Sequence, residues 1–471
     1  MKNMSTKKEL SVRVKKKEVV EAAAPPIPQH WVPQSNLDLL LPPVTFGVFF
    51  CYQKTPKLTF GAICSDLKAA LAETLVSYYA LAGEVVMKNA GGEAEIVCNN
   101  RGVEFAEALA DVELSEVNLY NPDESIEKKL VPNVKHGGVL AIQVTQLKCG
   151  GVVVGCSFDH RVADAYSANM FLVSWSEVAQ AKPLSQLPCF RRSFLFPRRH
   201  GHYDLSVDAM YTLISSLPPP LPAAEPKPLQ TDEQSVISRI YYIESDEIIR
   251  IQSLANSQKG SAKHHRITKL QAFSAFLWKT IAAGMCKDNS FKNFRLGVVV
   301  DGRTRLSGGD EKQAEQLKGY FGNVLSIPFG DRKIEDLQEK PLSWVANAVR
   351  EFLEEALTRE HFLGLIDWVE SHRPEPALAK IYASGDGPAA VVSSGQQFPV
   401  RKIDFGWGKP IFGSYHFHWG GEAGYVMPMP SPKGNGDWIV YMHLQKWQVE
   451  LIEAHASHVF KPMTSEYLDF N

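Results

Sequence analysis

The sequence predicts a mixed α/β fold (α+β in its layering) built as two domains. Three observations lead there. The chain has 471 residues, long for one core, so two units of roughly 200 residues are the starting point. Short β-branched or alternating runs interleave with apolar positions at helical spacing, as in layered α/β or α+β domains. Between the halves, residues 181–235 carry Pro183, Pro188, Pro197, the run Pro218-Pro219-Pro220, and Pro222, Pro226 and Pro228. So proline-rich a stretch reads as a semi-rigid crossover ill suited to a core. The expected division is 1–185, a crossover over 186–235, and 236–471.

The elements follow in order. Residues 10–20 alternate as a half-buried strand does, with Lys15-Lys16-Lys17 as a solvated strand end rather than a binding arm. Pro25 to Pro33 reads as a turn-rich connector, and Thr45 to Tyr52 as a strand. Leu67, Ala70, Leu71, Leu75, Tyr78 and Leu81 mark a helix over 66–82 packed on one face. Glu95–Cys98 and Leu140–Gln146 read as strands. Gly151 to Phe158 is a buried strand that turns at Asp159-His160-Arg161 into a helix from Ala163 through Val173, with Asp159 or Asp164 as its cap. After the crossover come a strand at Val236–Tyr242, a helix capped by Thr268 and ending near Gly284, and a buried strand at Leu296–Val300 leading into Asp301-Gly302-Arg303-Thr304-Arg305. Ala390–Ser393, Gly424–Val426 and Asp437–Leu444 complete the strands.

Composition excludes several functions. A formal net charge of −2 gives no reason to expect nucleic acid. Seven cysteines, an odd number with no C-x-x-C, indicate neither a disulfide framework nor a zinc site and suit a reducing compartment. Cys156 reads as a small buried strand residue. No apolar run approaches the ~20 residues that span a bilayer, and no apolar segment follows the basic N-terminus as in a secretory signal. The cytosol is the expected location.

The chemistry concentrates at His160 and Asp164, an H-x-x-x-D at the point where a strand hands over to a helix. Roughly one such pair is expected by chance in a chain this long. The other, His200 with Asp204, has no strand before it and reads as a loop. Asp404-Phe405-Gly406-Trp407-Gly408 is the rarer string. Its glycines permit unusual backbone angles, its Asp could receive an Arg fork, and it reads as a structural corner. His416 and His418 alternate on one strand face. A metal pair would need a third ligand, none is evident at useful spacing, and pocket lining or surface is the reading; no metal is assigned.

The H-x-x-x-D pair and the later D-F-G-W-G, with Tyr320-Phe321-Gly322-Asn323 and Asp301-Gly302-Arg303, resemble the BAHD family of plant acyl-CoA-dependent acyltransferases over nearly the whole chain. Within the family the chain is most similar to members that acetylate coniferyl alcohol, on Ser35 to Pro43, Gly47 to Tyr52, Asp159 to Met170 and Gly424 to Pro432. Many members have Gly directly after the motif Asp; Ala165 here tightens the helix start. The resemblance implies two chloramphenicol-acetyltransferase-like domains with a channel between them, and His160 at its middle. It implies acyl-CoA, acetyl-CoA in this case, as co-substrate with no permanently bound cofactor. The partners are then a small alcohol and acyl-CoA, and the chain a monomer without a membrane span.

By that resemblance His160 deprotonates the acceptor hydroxyl, a task a neutral imidazole suits. Asp164 turns away to pair with Arg303, or alternatively Arg305, since a buried carboxylate needs a partner. Asp404, Gly406, Trp407 and Gly408 give structural support. With no Gly-rich phosphate loop, CoA is assigned to Thr268, Lys269 and Asp301. The substrate pocket is assigned to Ser35, Asn36, Asp38, Ser393 and Lys380. Relatives that acylate shikimate carry an Arg at the position of Lys380 and a Trp near Ser393-Ser394-Gly395. Lys lacks the planar fork that grips a carboxylate, so a neutral aromatic alcohol is expected over shikimate or quinate. The alternatives are a hydroxycinnamoyltransferase acting on those acids and a catalytically silent binding protein of the same fold.

Overall fold

The computed structural model describes residues 10–469 apart from 24–27, 57, 88–92, 136, 218–234, 258–265, 286–290, 384–386 and 419–422. Two large sheets carry it. The first orders its strands Val12–Val20, Val103–Ala110, Leu140–Gln146, Val152–Asp159, Thr45–Tyr52 and Phe412–His416. The second runs Phe329–Lys333, Asn293–Val298, Ala389–Val392, Ala423–Pro430, Trp438–Gln445, Val236–Ile243 and Lys461–Pro462. The mixed α/β fold with two sheet-rich units is therefore as the sequence indicates.

Each sheet has its own helices and its own core. Phe60–Ser77 and Ala165–Ala179 pack together on the first. Trp175 and Phe171 of the second of these are fully buried, with Phe171 edge-on to the strand side chain Phe158 at 5.9 Å between centroids. On the second sheet the central helix is Lys269–Gly284. Thr268 accepts from Gln271 N, and Gln271 answers to Thr268 N, a reciprocal cap that fixes its start.

Several segments differ from the sequence reading. His30–Pro33, read as connector, is a strand paired with Ala94–Cys98, because its Val32 reaches the core. The crossover is less detached than its prolines suggest. Residues 218–234 lie outside the described ones, but before them Arg192, Leu195, Val207 and Tyr211 are buried. Tyr211–Leu213 also pairs with Ala377–Ala379. The helices Leu342–Ala356 and Arg359–His372 went unread, although Val345, Ala346, Val349 and Leu353 recur at helical spacing and are buried.

The two cores also exchange segments. Phe398, Val400, Ile403, Phe405, Phe412 and Tyr415 join the first core, and Phe412–His416 pairs antiparallel with Thr45–Tyr52. Leu37 and Leu40 join the second core. We propose the division 1–185 and 236–471 with these exchanged segments as its exceptions. They place the edge of the first sheet beside the second, where a cleft forms.

One close approach lies inside the first sheet. A Cβ on Gly155, mid-strand in the first sheet, would stand 2.2 Å from the Leu130 carbonyl oxygen. Backbone on both sides leaves nothing to swing away. Gly155→Ala is therefore expected to cost about 1–3 kcal/mol by overpacking, read in a denaturant titration. An unchanged midpoint would show that the 126–131 segment is not held against the strand.

Candidate active site between the two sheets

His160 stands where the strand Val152–Asp159 ends. Asp159 accepts from Arg161 N at 2.9 Å and from Arg161 Nε at 3.0 Å, which closes the turn. Asp164, in extended backbone, accepts from Ser167 N at 2.8 Å and so caps the next helix. His160 N donates to Val44 O at 2.9 Å, and Asn323 Nδ2 donates to His160 O at the same distance. Held at both ends, the imidazole packs edge-on against Phe46 at 4.9 Å and Phe417 at 5.8 Å between centroids. It lines a cavity with Leu37, Leu40, Val299, Ile327, Leu378 and Tyr425 among its other walls.

Burial pushes the His160 pKa below its ordinary value. Its own backbone carbonyl, Asp164, Asp159 and the Asn323 side chain pull the other way without cancelling this. Nδ1 is buried and makes no hydrogen bond of full geometry, as is Asn323 Oδ1. That leaves Nε2 as the nitrogen open to the cavity. A neutral ring so placed can take a proton from a hydroxyl brought to it.

Asp164 does not back the imidazole as a triad carboxylate would. It is fully buried, as is Arg303 at 2% exposure. Arg303 forks onto it, Nη1 to Oδ2 at 2.8 Å and Nη2 to Oδ1 at 3.1 Å. The guanidinium also donates to Gly322 O at 2.9 Å and to Asp301 Oδ1 at 3.1 Å, under the Tyr166 ring at 4.3 Å. Arg303, not Arg305, is thus the partner. Asp301 lines the cavity, and burial raises its pKa although Arg303 opposes the shift.

The other assigned residues divide. Ser393 lines the cavity, together with Asn169 and Tyr415, which the sequence did not single out. Tyr415 donates to Asn169 Oδ1 at 2.8 Å, and burial drives its phenol pKa far up, so it stays a neutral hydroxyl. Ser35, Asn36 and Asp38 are absent from the described walls and spend their groups on the frame. Ser35 Oγ donates to Asp38 Oδ2 at 2.8 Å, and Asp38 Oδ1 accepts Asn323 N at 2.7 Å and Nδ2 at 2.9 Å. Asn36 donates to Ile366 O and accepts from Arg373. Lys380 likewise turns out of the cavity, donating to Asp208 O at 2.5 Å. Thr268 is occupied in its helix cap, and exposed Lys269 does not line the cavity.

Asn323 is the positioning group that sequence reasoning saw only as a letter in Y-F-G-N. Its amide joins Asp38 to the His160 carbonyl, and buried Arg192 closes the network by donating to Tyr320 Oη at 2.9 Å and Phe321 O at 2.7 Å.

The D-F-G-W-G stretch lies at the other end of the helix that Asp164 starts. That helix has 15 residues, about 22 Å at 1.5 Å per residue. Asp404 Oδ1 accepts from Gly406 N at 2.9 Å and Gly408 N at 3.1 Å, with both glycines at positive φ. The Asp thus folds its own loop, and no Arg fork reaches it among the described residues. Phe405 packs on Trp175 at 4.8 Å, Trp407 on Tyr52 at 4.4 Å, and Gln180 Nε2 donates to Asp404 O.

His416 and His418 do not line the cavity, and His418 alone is partly exposed. His416 is 3% exposed, while Tyr415 and Phe417 between and beside them face the cavity. Their rings meet through Nε2, and His418 Nε2 lies 3.1 Å from Glu127 Oε1. The third candidate ligand, invisible in the sequence, comes from the far side of the chain. Burial keeps both rings neutral, His418 falling to about 3 and His416 well below its usual value.

Comparison with known proteins follows the same lines. The Transferase family model matches residues 10–459. The chain is 26% identical over 458 residues to the shikimate O-hydroxycinnamoyltransferase of Nicotiana tabacum, covering 94% of this chain and 99% of that one. It is 28% identical over 440 residues to a hydroxycinnamoyltransferase of Narcissus pseudonarcissus, covering 89% and 93%. In fold it is similar to vinorine synthase, with a TM-score of 0.67 at 19% identity over 96% of this chain and 99% of that one. It is also similar to F. graminearum TRI101 complexed with ethyl coenzyme A, with a TM-score of 0.71 at 15% identity over 91% and 98%.

The Asp164 fork yields a test. Asp164→Asn keeps a helix cap but leaves the buried Arg303 with only the partly exposed Asp301 as counter-charge. A loss of about 3 kcal/mol is expected, measured by chemical denaturation, with activity falling alongside. A variant as stable as the wild type but inactive would assign Asp164 to the chemistry instead.

Proposed function

From the chain's membership of the Transferase family, the BAHD acyl-CoA-dependent acyltransferases, we propose that it transfers acetyl from acetyl-CoA to coniferyl alcohol, giving coniferyl acetate and CoA. The family makes it an acyl-transferring enzyme with acyl-CoA as co-substrate. The alcohol is argued from the cavity and the acetyl group from the sequence resemblance.

His160 is the proposed general base. The acceptor hydroxyl gives its proton to Nε2 as its oxygen attacks the thioester carbonyl. The tetrahedral intermediate then collapses, the C–S bond breaks, and the CoA thiolate takes the proton from the imidazolium. Burial favours the neutral ring that starts this cycle. Asn323, through the His160 carbonyl, holds the ring's backbone in place.

One observation carries the choice of alcohol: among the described residues that line the cavity there is no Lys or Arg. Lys380 is bound to Asp208 O. A carboxylate such as that of shikimate would meet walls that include Leu378, Ala379 and Asp301, with no Lys or Arg among the described ones to offset its desolvation. A methoxyphenol side chain needs an apolar slot and a few neutral hydrogen-bonding groups, and Leu37, Val299 and Tyr415 are of those kinds. The second reading, transfer of a hydroxycinnamoyl group to shikimate or quinate, has the relative from Nicotiana tabacum in its favour and the missing cation against it.

His160→Ala is expected to fold normally and to retain less than about a tenth of wild-type turnover, since a general base contributes ~10²–10⁴. In the wild type kcat/KM should fall as pH drops through the His160 pKa, because protonation removes the base. Burial places that limb below the ordinary 6.5. A limb above that value, or a fully active alanine variant, would remove His160 from the role.

For specificity, coniferyl alcohol with acetyl-CoA should exceed shikimate with p-coumaroyl-CoA by at least ~100-fold in kcat/KM, about 2.7 kcal/mol of transition-state binding. Paired assays under matched conditions decide it. Equal turnover of the two pairs would make the hydroxycinnamoyltransferase reading the correct one.

A further inference from the structure

Behind the Phe417 wall of the cavity, three electron-pair donors meet. The ligand atoms of Glu127, His416 and His418 all lie within 4.8 Å of one another. We propose that these three side chains bind a divalent transition-metal cation of the zinc class, at a site separate from the acyl-transfer chemistry.

Counting protons makes the case. His418 Nε2 faces both His416 Nε2 and, at 3.1 Å, Glu127 Oε1. Suppose the proton sits on His418 Nε2 and goes to the carboxylate. The His416 Nε2 lone pair is then left without a donor. Suppose instead it sits on His416 Nε2. Then the His418 lone pair and the carboxylate oppose each other. Protonating Glu127 as well either sets two imidazole lone pairs face to face or makes the carboxyl and His416 compete for the single lone pair of His418 Nε2. A cation at the meeting point accepts all three lone pairs at once, while the His416 Nδ1–H stays buried without a partner whether or not the ion is bound.

The donor set and its surroundings fit. Two neutral imidazoles and one carboxylate suit Zn²⁺, with a further position left for water. Metal–nitrogen bonds of ~2.0–2.1 Å put ligand atoms a little over 3 Å apart, so small rotations of the two rings suffice. His418 and Glu127 keep 29% and 25% of their side-chain surface open, an entry path for an ion. His443, its ring 4.9 Å from His418, is held by Ser238 through Nδ1 and stands as a neighbour.

The location gives the site a use. Glu127 belongs to the segment pressed on Gly155 of the first sheet. His416 and His418 flank Phe417, whose ring stands 5.8 Å from that of His160. A bound ion would tie that segment to the exchanged strand and brace the wall on which the acceptor lies.

The test uses the full-length untagged chain, stripped with chelator, rebuffered, and titrated with Zn²⁺ by calorimetry and with Co²⁺ by visible absorption. One ion per chain and the intense visible band of low-coordinate Co²⁺ are expected. Glu127→Gln and His418→Gln should each weaken binding by at least about tenfold with the fold intact by circular dichroism. His200→Gln, an exposed histidine elsewhere, should not. Binding of less than ~0.2 ion per chain, a scale set by a stoichiometric site, overturns the proposal. So does binding that survives in both Glu127→Gln and His418→Gln, which would place the ion on other histidines.

Discussion

The fork between Arg303 and Asp164 is the constraint on which the rest of the site depends. Asp164 starts the helix that follows His160, and Arg303 follows the second sheet's strand Asn293–Val298 and the short strand Val300–Asp301. Two full charges so deeply buried would each cost several kcal/mol alone. Their geometry is two-pronged, and the remaining donors go to Gly322 O, Ser167 Oγ and Asp301. The pair therefore holds only in one relative placement of the first sheet's helix and the second half of the chain. That placement sets the width of the cleft in which the imidazole stands.

Around this pair the polar groups form a frame rather than a reaction centre. Arg192, Asp38 and Asn323 link the crossover, the 35–40 turn and the 320–324 loop to the His160 carbonyl. Each charge is spent on another part of the chain, which leaves the cavity itself mostly apolar with the imidazole as its open base. A site of that kind activates a neutral hydroxyl and repels an unpaired carboxylate for the same reason: low polarity favours the uncharged form of whatever enters.

Much of this was legible locally. The strand to Phe158, the turn at His160 and the cap at Thr268 are written in neighbouring residues, and local rules read them. What escaped depended on contacts distant in the chain. Asp38 and Asn36 look like pocket residues in sequence because they adjoin Leu37 and Leu40, which do line the cavity; a change of direction at each residue of the turn puts their side chains on the other side. Lys380 is expected in the pocket on sequence spacing, yet the Asp208 carbonyl claims its ammonium. Asp404 invites an Arg partner in sequence, but its carboxylate accepts its own glycine N–H groups and no Arg reaches it among the described residues. The long proline-rich segment hid Arg192, since composition describes a segment's average and not the one side chain that a neighbouring loop requires. Glu127 carried no signal, because nothing in its own stretch refers to residues 416–418.

The separation of recognition from chemistry follows from the same physics. D-F-G-W-G is a string seldom met by chance and sits one helix length from His160. Its rarity comes from stacking demands: positive φ at Gly406 and Gly408, an Asp to accept their N–H groups, and flat rings to cover Trp175 and Tyr52. Few residue combinations meet all of these at once, so the corner tolerates little change. The cavity walls ask less of each position. Leu, Val, Ile or Tyr can each close an apolar slot, and changing them alters which alcohol fits without unfolding the protein. A chain can therefore keep the corner, the Asp164–Arg303 fork and the imidazole while its acceptor changes. The acceptor has to be argued from Lys380, Leu378 and the walls around Ser393, and cannot be carried over from the motif.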